Sequence, residues 1–345
     1  MSLTEFSGID VDLDGKSILI TGGTGSFGST LLRKILAHHN PRKVIVFARG
    51  EYMHFELQMS LSEEDQKKVR FFVGDIRDLD RLVMAFRGVD IVVHAAAQKQ
   101  VPLAEYNPFE CIRTNVIGAE NIVQAAIRCG VQKVLALSTD KAVNPINLYG
   151  ASKLASDKIF VAANALGAGT STVFSVVRYG NVLGSRGSVI PYFRQLIADG
   201  ATEIPITDAR MTRFWITLDQ AVEFTLSCLP GLQGGEIFVP KIPSMRITDL
   251  AAALAPDLGV KNVGIRPGEK LHEIMITEHN APTTYDMGDR YLIEPEWSYS
   301  PRDTSRLEAA ITVPEGFEYS SDLNDSWMSV EDLREVLRKL PDESK

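Results

Sequence analysis

The chain has 345 residues, of which 45% are hydrophobic and 23% charged, a composition that supports one large core and a smaller lobe. Acidic residues outnumber basic ones by 44 to 36 and no dense block of Lys and Arg occurs, which argues against a nucleic-acid partner. The first residues lack the basic and apolar segments of a signal peptide, and no apolar run approaches the roughly 20 residues that cross a bilayer, so we expect a cytoplasmic protein without a membrane contact.

The cysteine and histidine positions favour neither a disulfide framework nor a metal site. The chain has three widely spaced cysteines, Cys111, Cys129 and Cys228. An odd number outside any CxxC pair fits a reducing compartment and core packing. His272 and Glu273 begin like a zinc-binding HExxH helix, but Ile276 stands where the second histidine is needed. We therefore expect no metal ion.

Short apolar runs alternate with amphipathic segments from Lys16 onward. The runs predict strands and read SILIT, KVIVFA, RFFVGD, VDIVVHAAA, KVLALS and TVFSVVRYG. Between them the pattern predicts helices, among them one that ends near His39, a long one from about Asn107 to Cys129, and one that begins near Tyr149. Branched apolar runs separated by helices are typical of parallel strands buried on both faces. We predict an α/β fold with a doubly wound parallel sheet of the Rossmann type.

The pattern becomes irregular after TVFSVVRYG. A helix is predicted from Leu218, a short strand at EIFVP, and a last helix that opens at Ser329 with the spacing of a capping box. We predict a Rossmann domain over residues 1–181 and a smaller C-terminal substrate-binding lobe mainly over 182–345, with later segments returning to the first domain. Such a lobe covers the carboxyl ends of the strands, where open α/β sheets bind ligands.

A glycine loop follows the first predicted strand directly. In TGGTGSFG the spacing GxxGxxG lets the chain turn tightly at Gly22, lets backbone N–H groups approach a pyrophosphate at Gly25, and lets helix pack on strand at Gly28. A glycine triplet alone can be a mere turn, but strand, loop and helix occur here in the order that dinucleotide binding requires. The predicted cofactor contacts of the loop are Gly22, Thr24, Gly25, Ser26, Phe27 and Gly28.

Arg49 ends the second strand, where an NAD site has an acidic residue for the ribose 2′-hydroxyl. A guanidinium pairs instead with a 2′-phosphate, so we predict NADP as the cofactor; the alternative is a solvated surface arginine beside Glu51. Asp75 and Ile76, after the third strand, are predicted to meet the adenine. Ala95, after the fourth, is small enough for the cofactor to lie against the backbone.

Tyr149 and Lys153 form the motif YxxxK, whose spacing places both side chains on one face of a helix. The charge of a lysine lowers the pKa of a nearby phenol, so we expect Lys153 to help Tyr149 take a hydroxyl proton while hydride leaves for a nicotinamide, and to hold its ribose. Together with the glycine loop, this motif resembles the short-chain dehydrogenase/reductase family. The glycine spacing and the length resemble its extended branch.

The segment STDKAVNPINLYGASK, which begins at Ser138, narrows the resemblance. It is similar to the inverting UDP-N-acetylglucosamine 4,6-dehydratases that open pseudaminic acid synthesis, whereas dehydratases that retain C5 have Thr-Asp-Glu where Thr139, Asp140 and Lys141 stand here. Further blocks resemble that family, namely TGGTGSFG, HAAAQKQVPLAEYNPFECIRTNV, SVVRYGNVLGSRGSV, ITDARMTRFWIT, GGEIFVPKIPSM, IRPGEKLHE and EYSS. The sequence departs from the residues usual in that family at Gly50, Gln98 and Gln100. These differences affect only the expected cofactor affinity and the shape of the pocket.

The resemblance implies a lyase whose roles follow from the chemistry. Tyr149 removes the 4-hydroxyl proton as NADP takes the C4 hydride, and the resulting ketone makes the C5 proton acidic. Lys141 is the expected C5 base if burial or Lys153 lowers its pKa, and Asp140, if it is kept protonated, donates to the departing 6-hydroxyl, which leaves as water. Hydride then returns to C6, and C5 is protonated from the opposite face.

The resemblance also assigns contacts of the substrate. The positions that match those holding the UDP-sugar are Lys99, Thr139, Asn181, Val189, Thr207, Arg266 and Glu269. The cations among them suit the diphosphate and the glutamate suits ribose hydroxyls. The segment expected near the nicotinamide is Val182, Leu183, Gly184, Ser185 and Arg186, and Lys99 is expected to meet the cofactor as well. A homo-oligomer, a dimer or a hexamer, is also implied.

Two other readings stay open. One is a UDP-hexose 4-epimerase or a C5-epimerising relative on the same scaffold, although a 4-epimerase has no use for a C5 base such as Lys141. The other is a non-catalytic protein that senses NADP. A sensor has no chemical need for Asp140, Lys141, Tyr149 and Lys153 together.

Overall fold

The computed structural model describes residue 6 and residues 11–167, 169–185, 188–297, 303, 305–308 and 310–339. The first half of the chain alternates strands and helices. Its strands are β1 (Ser17–Thr21), β2 (Lys43–Ala48), β3 (Val69–Val73), β4 (Ile91–His94), β5 (Lys133–Thr139) and β6 (Val173–Tyr179). Its helices are α1 (Ser26–His38), α2 (Glu51–Met59), α3 (Glu63–Lys68), α4 (Leu79–Phe86), α5 (Val101–Tyr106), α6 (Pro108–Ile112), α7 (Gly118–Cys129) and α8 (Leu148–Leu166).

The second half is less regular. Its strands are β7 (Asn181–Leu183), β8 (Glu203–Ile206), β9 (Thr212–Thr217), β10 (Ile237–Pro240), β11 (Ser244–Arg246), β12 (Gly259–Asn262), β13 (Ile274–Ile276), β14 (Thr284–Asp286), β15 (Arg290–Ile293), β16 (Ile311–Thr312) and β17 (Tyr319–Ser320). Its helices are α9 (Val189–Ala198), α10 (Leu218–Cys228), α11 (Ile247–Leu254) and α12 (Val330–Lys339).

One large sheet organises the described chain. Its strand order is β3-β2-β1-β4-β5-β6-β10-β15-β14-β16, parallel from β3 to β10 and antiparallel beyond. The reversal of order on the two sides of β1 is the doubly wound arrangement, which confirms the predicted fold class. Four segments after residue 182 join this sheet, while β11-β9-β7, β12-β8 and β13-β17 form small sheets of their own.

The parallel strands are buried on both faces because helices cover each side. Along β1 every residue is buried, and Ile18 and Ile20 pack into one apolar cluster while Leu19 packs into another. Alternate side chains of a strand point to opposite faces, so the two clusters lie on opposite sides of the sheet. A third cluster, around Trp215 and Leu250, forms the interior of the C-terminal lobe. None of the described helices combines the length and apolarity needed to cross a bilayer.

The prediction of one continuous helix from Asn107 to Cys129 is wrong, because this segment forms two α-helices joined by a π-helical turn. Pro108 begins α6 as a separate short helix, a position that suits proline because it needs no N–H donor there. A π-helical turn over Arg113–Ile117 then joins α6 to α7. Within that turn the Asn115 amide accepts from the backbone N–H of Gln98 (2.8 Å) and donates to its carbonyl (2.9 Å). The turn therefore ties this helix to the loop that follows β4.

The capping box predicted for the last helix is present. The backbone N–H of Asp332 donates to Ser329 Oγ (3.1 Å), and the backbone N–H of Ser329 donates to Asp332 Oδ2 (3.0 Å). These two bonds satisfy N–H groups that a helix start leaves without partners. The helix α12 then packs on α11 through Leu333 and Val336.

Candidate active site

The glycine loop between β1 and α1 is as tight as its sequence predicts. Gly22 has φ of +67°, and a Cβ there would lie 2.9 Å from the backbone nitrogen of Ala96. A Cβ at Gly28 would lie 2.5 Å from the carbonyl oxygen of Gly22. Side chains at these positions would fill the space beside the helix start, so the loop leaves the open backbone surface that a pyrophosphate needs. These residues fit a dinucleotide.

A cleft of about 590 Å³ opens at the carboxyl ends of the parallel strands. Most of the predicted site residues line it: Gly22, Thr24, Gly25, Ser26, Phe27, Gly28, Arg49, Asp75, Ile76, Ala95, Lys99, Thr139, Lys141, Tyr149, Lys153, Asn181, Val182 and Ser185. Ligands of open α/β sheets bind at this edge. The fold therefore brings together residues that are dispersed from the first strand to the start of the second lobe.

Other predicted residues do not line this cleft, namely Asp140, Leu183, Gly184, Val189, Thr207, Arg266 and Glu269. Arg186 lies outside the described residues. Asp140 is completely buried behind the cleft wall, whereas Arg266 is exposed. The loop that carries Arg266 and Glu269 is nevertheless held beside the cleft, because the Asn147 amide at the start of α8 donates to the carbonyl of Gly268 (2.7 Å).

Several lining residues were not predicted. They include Gly50, Gly74, Gln100, Thr114, Tyr179, Gly180, Ser188, Trp215 and Leu218. Gly50 and Gly74 follow β2 and β3 closely, so their position at the carboxyl edge of the sheet was a usable signal. Trp215 lies in β9 of a small sheet, and no sequence pattern placed that strand against the Rossmann edge.

Arg49 occupies the edge of the cleft at the end of β2. Its side chain is 68% exposed and its Nη1 lies 4.0 Å from Asp75 Oδ2, while Asp75 is engaged more closely by Arg77 at 2.7 Å. The guanidinium of Arg49 is thus held only loosely and its donors are open to a ligand. A guanidinium in such a position can pair with an anionic group of a bound ligand.

Tyr149 and Lys153 lie one turn apart on α8 and both are buried. The helix begins at an Asn147 cap, whose Oδ1 accepts from the backbone N–H of Gly150 (2.8 Å). Lys153 Nζ donates to the carbonyl oxygen of Leu137 at 2.7 Å, so its ammonium is fixed beside the end of β5. The YxxxK pair therefore points into the cleft from a rigid helix start.

The phenol pKa does not follow the sequence expectation. Burial raises the pKa of Tyr149 to about 12, against the opposing charge of Lys141. Burial itself lowers the pKa of Lys153, with the charge of Asp157 working in the other direction. A lowered phenol pKa, as the YxxxK motif predicted, is therefore not found, and Tyr149 carries its proton at neutral pH.

Asp140 and Lys141 form a short helical turn directly after β5. Thr139 Oγ1 donates to Asp140 Oδ1 (2.9 Å), and the other carboxyl oxygen, Oδ2, is buried without a hydrogen-bond partner among the described residues. Burial raises the pKa of Asp140, and the charge of Glu273 adds to the rise while Lys141 opposes it. This environment makes the Asp140 carboxylate easier to protonate than an exposed aspartate.

Lys141 is surrounded by oxygen atoms at the cleft wall. Its Nζ lies 3.1 Å from Asp140 Oδ1, 3.3 Å from Asn181 Oδ1 and 3.5 Å from Glu273 Oε1. Burial disfavours the ammonium ion, but the charges of Asp140 and Glu273 outweigh burial and raise the pKa of Lys141. The condition of a lowered pKa is therefore not met by burial, because the neighbouring carboxylates keep Lys141 an ammonium ion at neutral pH.

The fold, the glycine loop and the YxxxK pair define an extended short-chain dehydrogenase/reductase. A family model described as polysaccharide biosynthesis protein matches residues 18–295. The inverting UDP-N-acetylglucosamine 4,6-dehydratase of Campylobacter jejuni subsp. jejuni serotype O:2 is 53% identical over 327 residues, 93% of this chain and 97% of that protein.

Solved structures show the same architecture. Pen from Bacillus thuringiensis superimposes with a TM-score of 0.85 at 36% identity, covering 94% of this chain and 98% of its own. A double mutant of DesIV, a dTDP-glucose 4,6-dehydratase from Streptomyces venezuelae with NAD and DAU bound, gives 0.63 at 26% identity over 74% and 86% of the two chains. The chain belongs to the polysaccharide biosynthesis protein family, together with the inverting dehydratase of Campylobacter, and the resemblance seen in the sequence is confirmed.

Proposed function

We propose that this protein is a UDP-N-acetylglucosamine 4,6-dehydratase that inverts C5 and forms the 4-keto-6-deoxy sugar. The observation that carries the proposal is Lys141, which lines the cleft with Tyr149 and whose Nζ lies 3.1 Å from the buried carboxyl of Asp140. Elimination of water needs an acid and a base on adjacent carbons, and this pair supplies both. The 53% identity with a relative of that activity supports the same substrate.

The first step oxidises C4. A nicotinamide cofactor, when bound, accepts hydride from C4 and later returns it to C6. Tyr149 takes the 4-hydroxyl proton, for which its raised pKa must fall, and the charge of Lys141 already works in that direction. Lys153 holds the nicotinamide ribose from the same helix face. The ketone at C4 then acidifies the C5 proton.

The second step eliminates water. A proton passes from Lys141 to Asp140 across 3.1 Å, giving a neutral amine and a protonated carboxyl. The Lys141 amine removes the C5 proton, the electrons of that C–H bond form the C5–C6 double bond, and the C6–O6 bond breaks as O6 takes the proton of Asp140 and leaves as water. The pair ends as ammonium and carboxylate, the ion pair seen in the structure. Hydride return to C6 leaves an enolate over C4 and C5. A proton from a water molecule on the face opposite Lys141 then adds to C5 and gives the inverted sugar.

The cofactor that we propose is NADP. The glycine loop binds its pyrophosphate, the guanidinium of Arg49 pairs with the 2′-phosphate, and Asp75 and Ile76 flank the adenine. The support is the open position of Arg49 on the cleft edge. The segment from Val182 to Ser185 and Lys99 complete the nicotinamide side.

The substrate contacts that we propose fall into two groups. Three of them line the cleft, Lys99, Thr139 and Asn181. The others, which do not line it, are Val189, Thr207, Arg266 and Glu269. Glu269 Oε2 is buried without a hydrogen-bond partner among the described residues, so it has an acceptor available for a ribose hydroxyl.

We propose a homo-oligomer in the cytoplasm. Tyr106 and Phe109, at the ends of α5 and α6, are 85% and 78% exposed, and Ile117 in the π-helical turn is 43% exposed. Such neighbouring apolar side chains favour a subunit contact. The cysteines of the chain are free thiols, which suits a reducing compartment.

The test is proton NMR of UDP-N-acetylglucosamine incubated with the protein and NADP in deuterated water, without added reductant. Dehydration produces a new C6 methyl signal, deuterium at C5 and altered ring couplings. If the product were only the C4 epimer, the protein would be an epimerase. If NADP bound and no sugar reacted, the protein would be a non-catalytic sensor of NADP and not an enzyme.

A further inference from the structure

Glu273, immediately before β13, is a buried carboxylate in contact with Lys141. The residue is 2% exposed, and its Oε1 lies 3.5 Å from Lys141 Nζ. Its backbone is fixed on both sides by Ser321, whose Oγ accepts from the Glu273 N–H (2.9 Å) and whose N–H donates to the Glu273 carbonyl (2.8 Å). The carboxylate is therefore held in one place by the tertiary structure.

Two further cations neutralise this carboxylate. Arg213 Nε lies 3.7 Å from Glu273 Oε1, and Lys270 Nζ lies 3.2 Å from Oε2. Lys270 Nζ also donates to the carbonyl of Val143 at 2.7 Å, which attaches the cluster to the chain just after Lys141. Burial opposes ionisation, but these three cations, with Lys141 the foremost, outweigh it and lower the pKa of Glu273. The residue is a stable anion.

We propose that Glu273 is a positioning residue for Lys141, fixing its ammonium between two carboxylates and setting the proton content of the Asp140–Lys141 pair. The inference rests on the proposed dehydratase function. Glu273 does not line the cleft, so it acts through Lys141 and not on the sugar. This contact fixes the orientation of the Lys141 side chain. With Asp140 alone, Nζ would pair only with the adjacent residue, whereas Glu273 attracts it from the other side.

The sign of the effect follows from the charges around Lys141. Facing its Nζ are Asp140 from the same turn, Glu273 from the segment before β13, Arg213 from β9 and Tyr149 from α8. The negative charge of Glu273 raises the pKa of both Lys141 and Asp140. Because the two groups titrate as a pair, loss of this charge lowers both of their apparent pKa values.

The first test is the pH dependence of dehydration in Glu273→Gln. At low pH the Asp140–Lys141 pair holds two protons, as a carboxylic acid and an ammonium ion, and is inactive. The active pair holds one proton fewer, so the rate of dehydration rises with pH through the apparent pKa of Asp140. In Glu273→Gln this acidic limb moves to lower pH by about one unit or more, as expected for a charge within about 4–6 Å. A limb that superimposes on that of the parent protein after scaling overturns the proposal.

The matched control is Glu236→Gln. Glu236 is also fully buried and pairs with Arg306 at 2.8 Å. It precedes β10, however, and therefore lies at the amino ends of the parallel strands, away from the cleft at their carboxyl ends. This variant loses stability without a shift of the acidic limb. The conservative variant Glu273→Asp retains the charge and brings the limb back toward the parent position.

A second variant, Lys270→Met, should shift the acidic limb in the opposite direction. It tests the proposal even if Glu273→Gln does not fold. Lys270→Met removes a cation from the cluster, so the carboxylate acts on Lys141 with less compensation. The acidic limb moves to higher pH. An unchanged or lowered limb in Lys270→Met contradicts the proposal on its own.

A readout without turnover separates this inference from the proposed function. Reductive ¹³C-methylation labels the lysines, and Lys141→Arg identifies the Lys141 signal. On the acid side that signal follows the titration of Asp140, whose Oδ1 lies 3.1 Å from Lys141 Nζ. In Glu273→Gln this step occurs at lower pH than in the parent protein, whether or not any sugar reacts. If the shift occurs but no dehydration is seen, the proposed function fails while the Glu273 contact stands. If dehydration occurs and the signal titrates unchanged, the inference fails alone.

Discussion

Gly150 packs against the backbone of Lys141. A Cβ at position 150 would lie 3.1 Å from the carbonyl carbon of Lys141 and closer still to its oxygen, and 3.0 Å from Pro145 Cβ. The residue next to Tyr149 on the helix thus fixes how closely α8 approaches the turn that holds the proposed base. Tyr149 and Lys141 are brought together by the absence of a side chain.

We expect Gly150→Ala to reduce dehydration at least tenfold. Alanine stabilises a helix by about 1 kcal/mol relative to glycine, but the clash with a backbone carbonyl moves Lys141 away from Tyr149, and misplacement of about 1 Å can cost on the order of 100-fold in rate. Turnover and thermal melting measure the two effects. Ala151→Ser, at the exposed next position, is the control; full activity in Gly150→Ala contradicts this account.

Asp140→Asn and Lys141→Ala should block different steps of the elimination: Lys141→Ala the removal of the C5 proton, and Asp140→Asn the cleavage of the C6–O6 bond. Without the base, the C5 proton stays and deuterium does not enter C5, although C4 oxidation by Tyr149 continues and reduced cofactor accumulates. In Asp140→Asn the charge that raises the pKa of Lys141 is lost, so part of the amine is neutral and can still exchange C5. Loss of water, which has no acid, slows by roughly 100- to 10,000-fold. NMR in deuterated water and absorbance of the reduced cofactor separate the steps. Deuterium at C5 in Lys141→Ala would assign the base elsewhere.

Arg49→Gln should weaken NADP binding and leave NAD binding nearly unchanged. A hydrogen bond to a charged group contributes about 1.5–3 kcal/mol, which corresponds to roughly 10- to 100-fold in Kd. Equilibrium binding of both cofactors measures the difference. Arg33→Gln, on the exposed side of α1, controls for removal of a positive charge. An equal loss for the two cofactors would show that Arg49 does not recognise the 2′-phosphate.

His94 should make the fold sensitive to acid. The ring is buried, its Nδ1 is 2.8 Å from Thr21 Oγ1, and burial lowers its pKa from 6.5 to about 3. The unfolded chain takes up a proton below pH 6.5 that the folded chain refuses down to about pH 3. Stability from this group is therefore complete above pH 6.5 and falls by up to about 1.4 kcal/mol per pH unit below it.

The check on His94 is urea unfolding between pH 4 and pH 7. His94→Asn retains an amide near the position of Nδ1 and should flatten the loss of stability toward acid relative to the parent protein. His38→Asn, on the exposed end of α1, controls for removing a histidine. Parallel curves for His94→Asn and the parent protein would contradict the buried, neutral ring.

Phe109→Asp should dissociate the proposed oligomer. Phe109 is 78% exposed beside Tyr106, and a carboxylate placed in an apolar contact loses its hydration without gaining a partner. Sedimentation velocity measures the mass. Leu166→Asp changes an equally apolar side chain that is 75% exposed at the end of α8 and should leave the oligomer intact. An unchanged mass in Phe109→Asp places the contact elsewhere.

Local signals account for much of what could be predicted about the site. The glycine loop, Arg49 and the YxxxK pair were each identified from short motifs in a known order of strand and helix, and the parallel sheet aligns their carboxyl-end positions on one cleft. Their protonation was predicted less well. Burial and the distances between charges set a pKa, and the sequence contains neither.

The amino-acid sequence by itself determined the Rossmann sheet, the turn at Gly22 and the presence of an Asp-Lys pair at the end of β5, because each depends on neighbouring residues and on periodicity along the chain. Only the tertiary structure decided that Glu273 meets Lys141, that burial raises the pKa of Tyr149 against the charge of Lys141, and that Trp215 reaches the cleft. These contacts join segments far apart in sequence, and their energies depend on distance and burial, which exist only once the chain has folded.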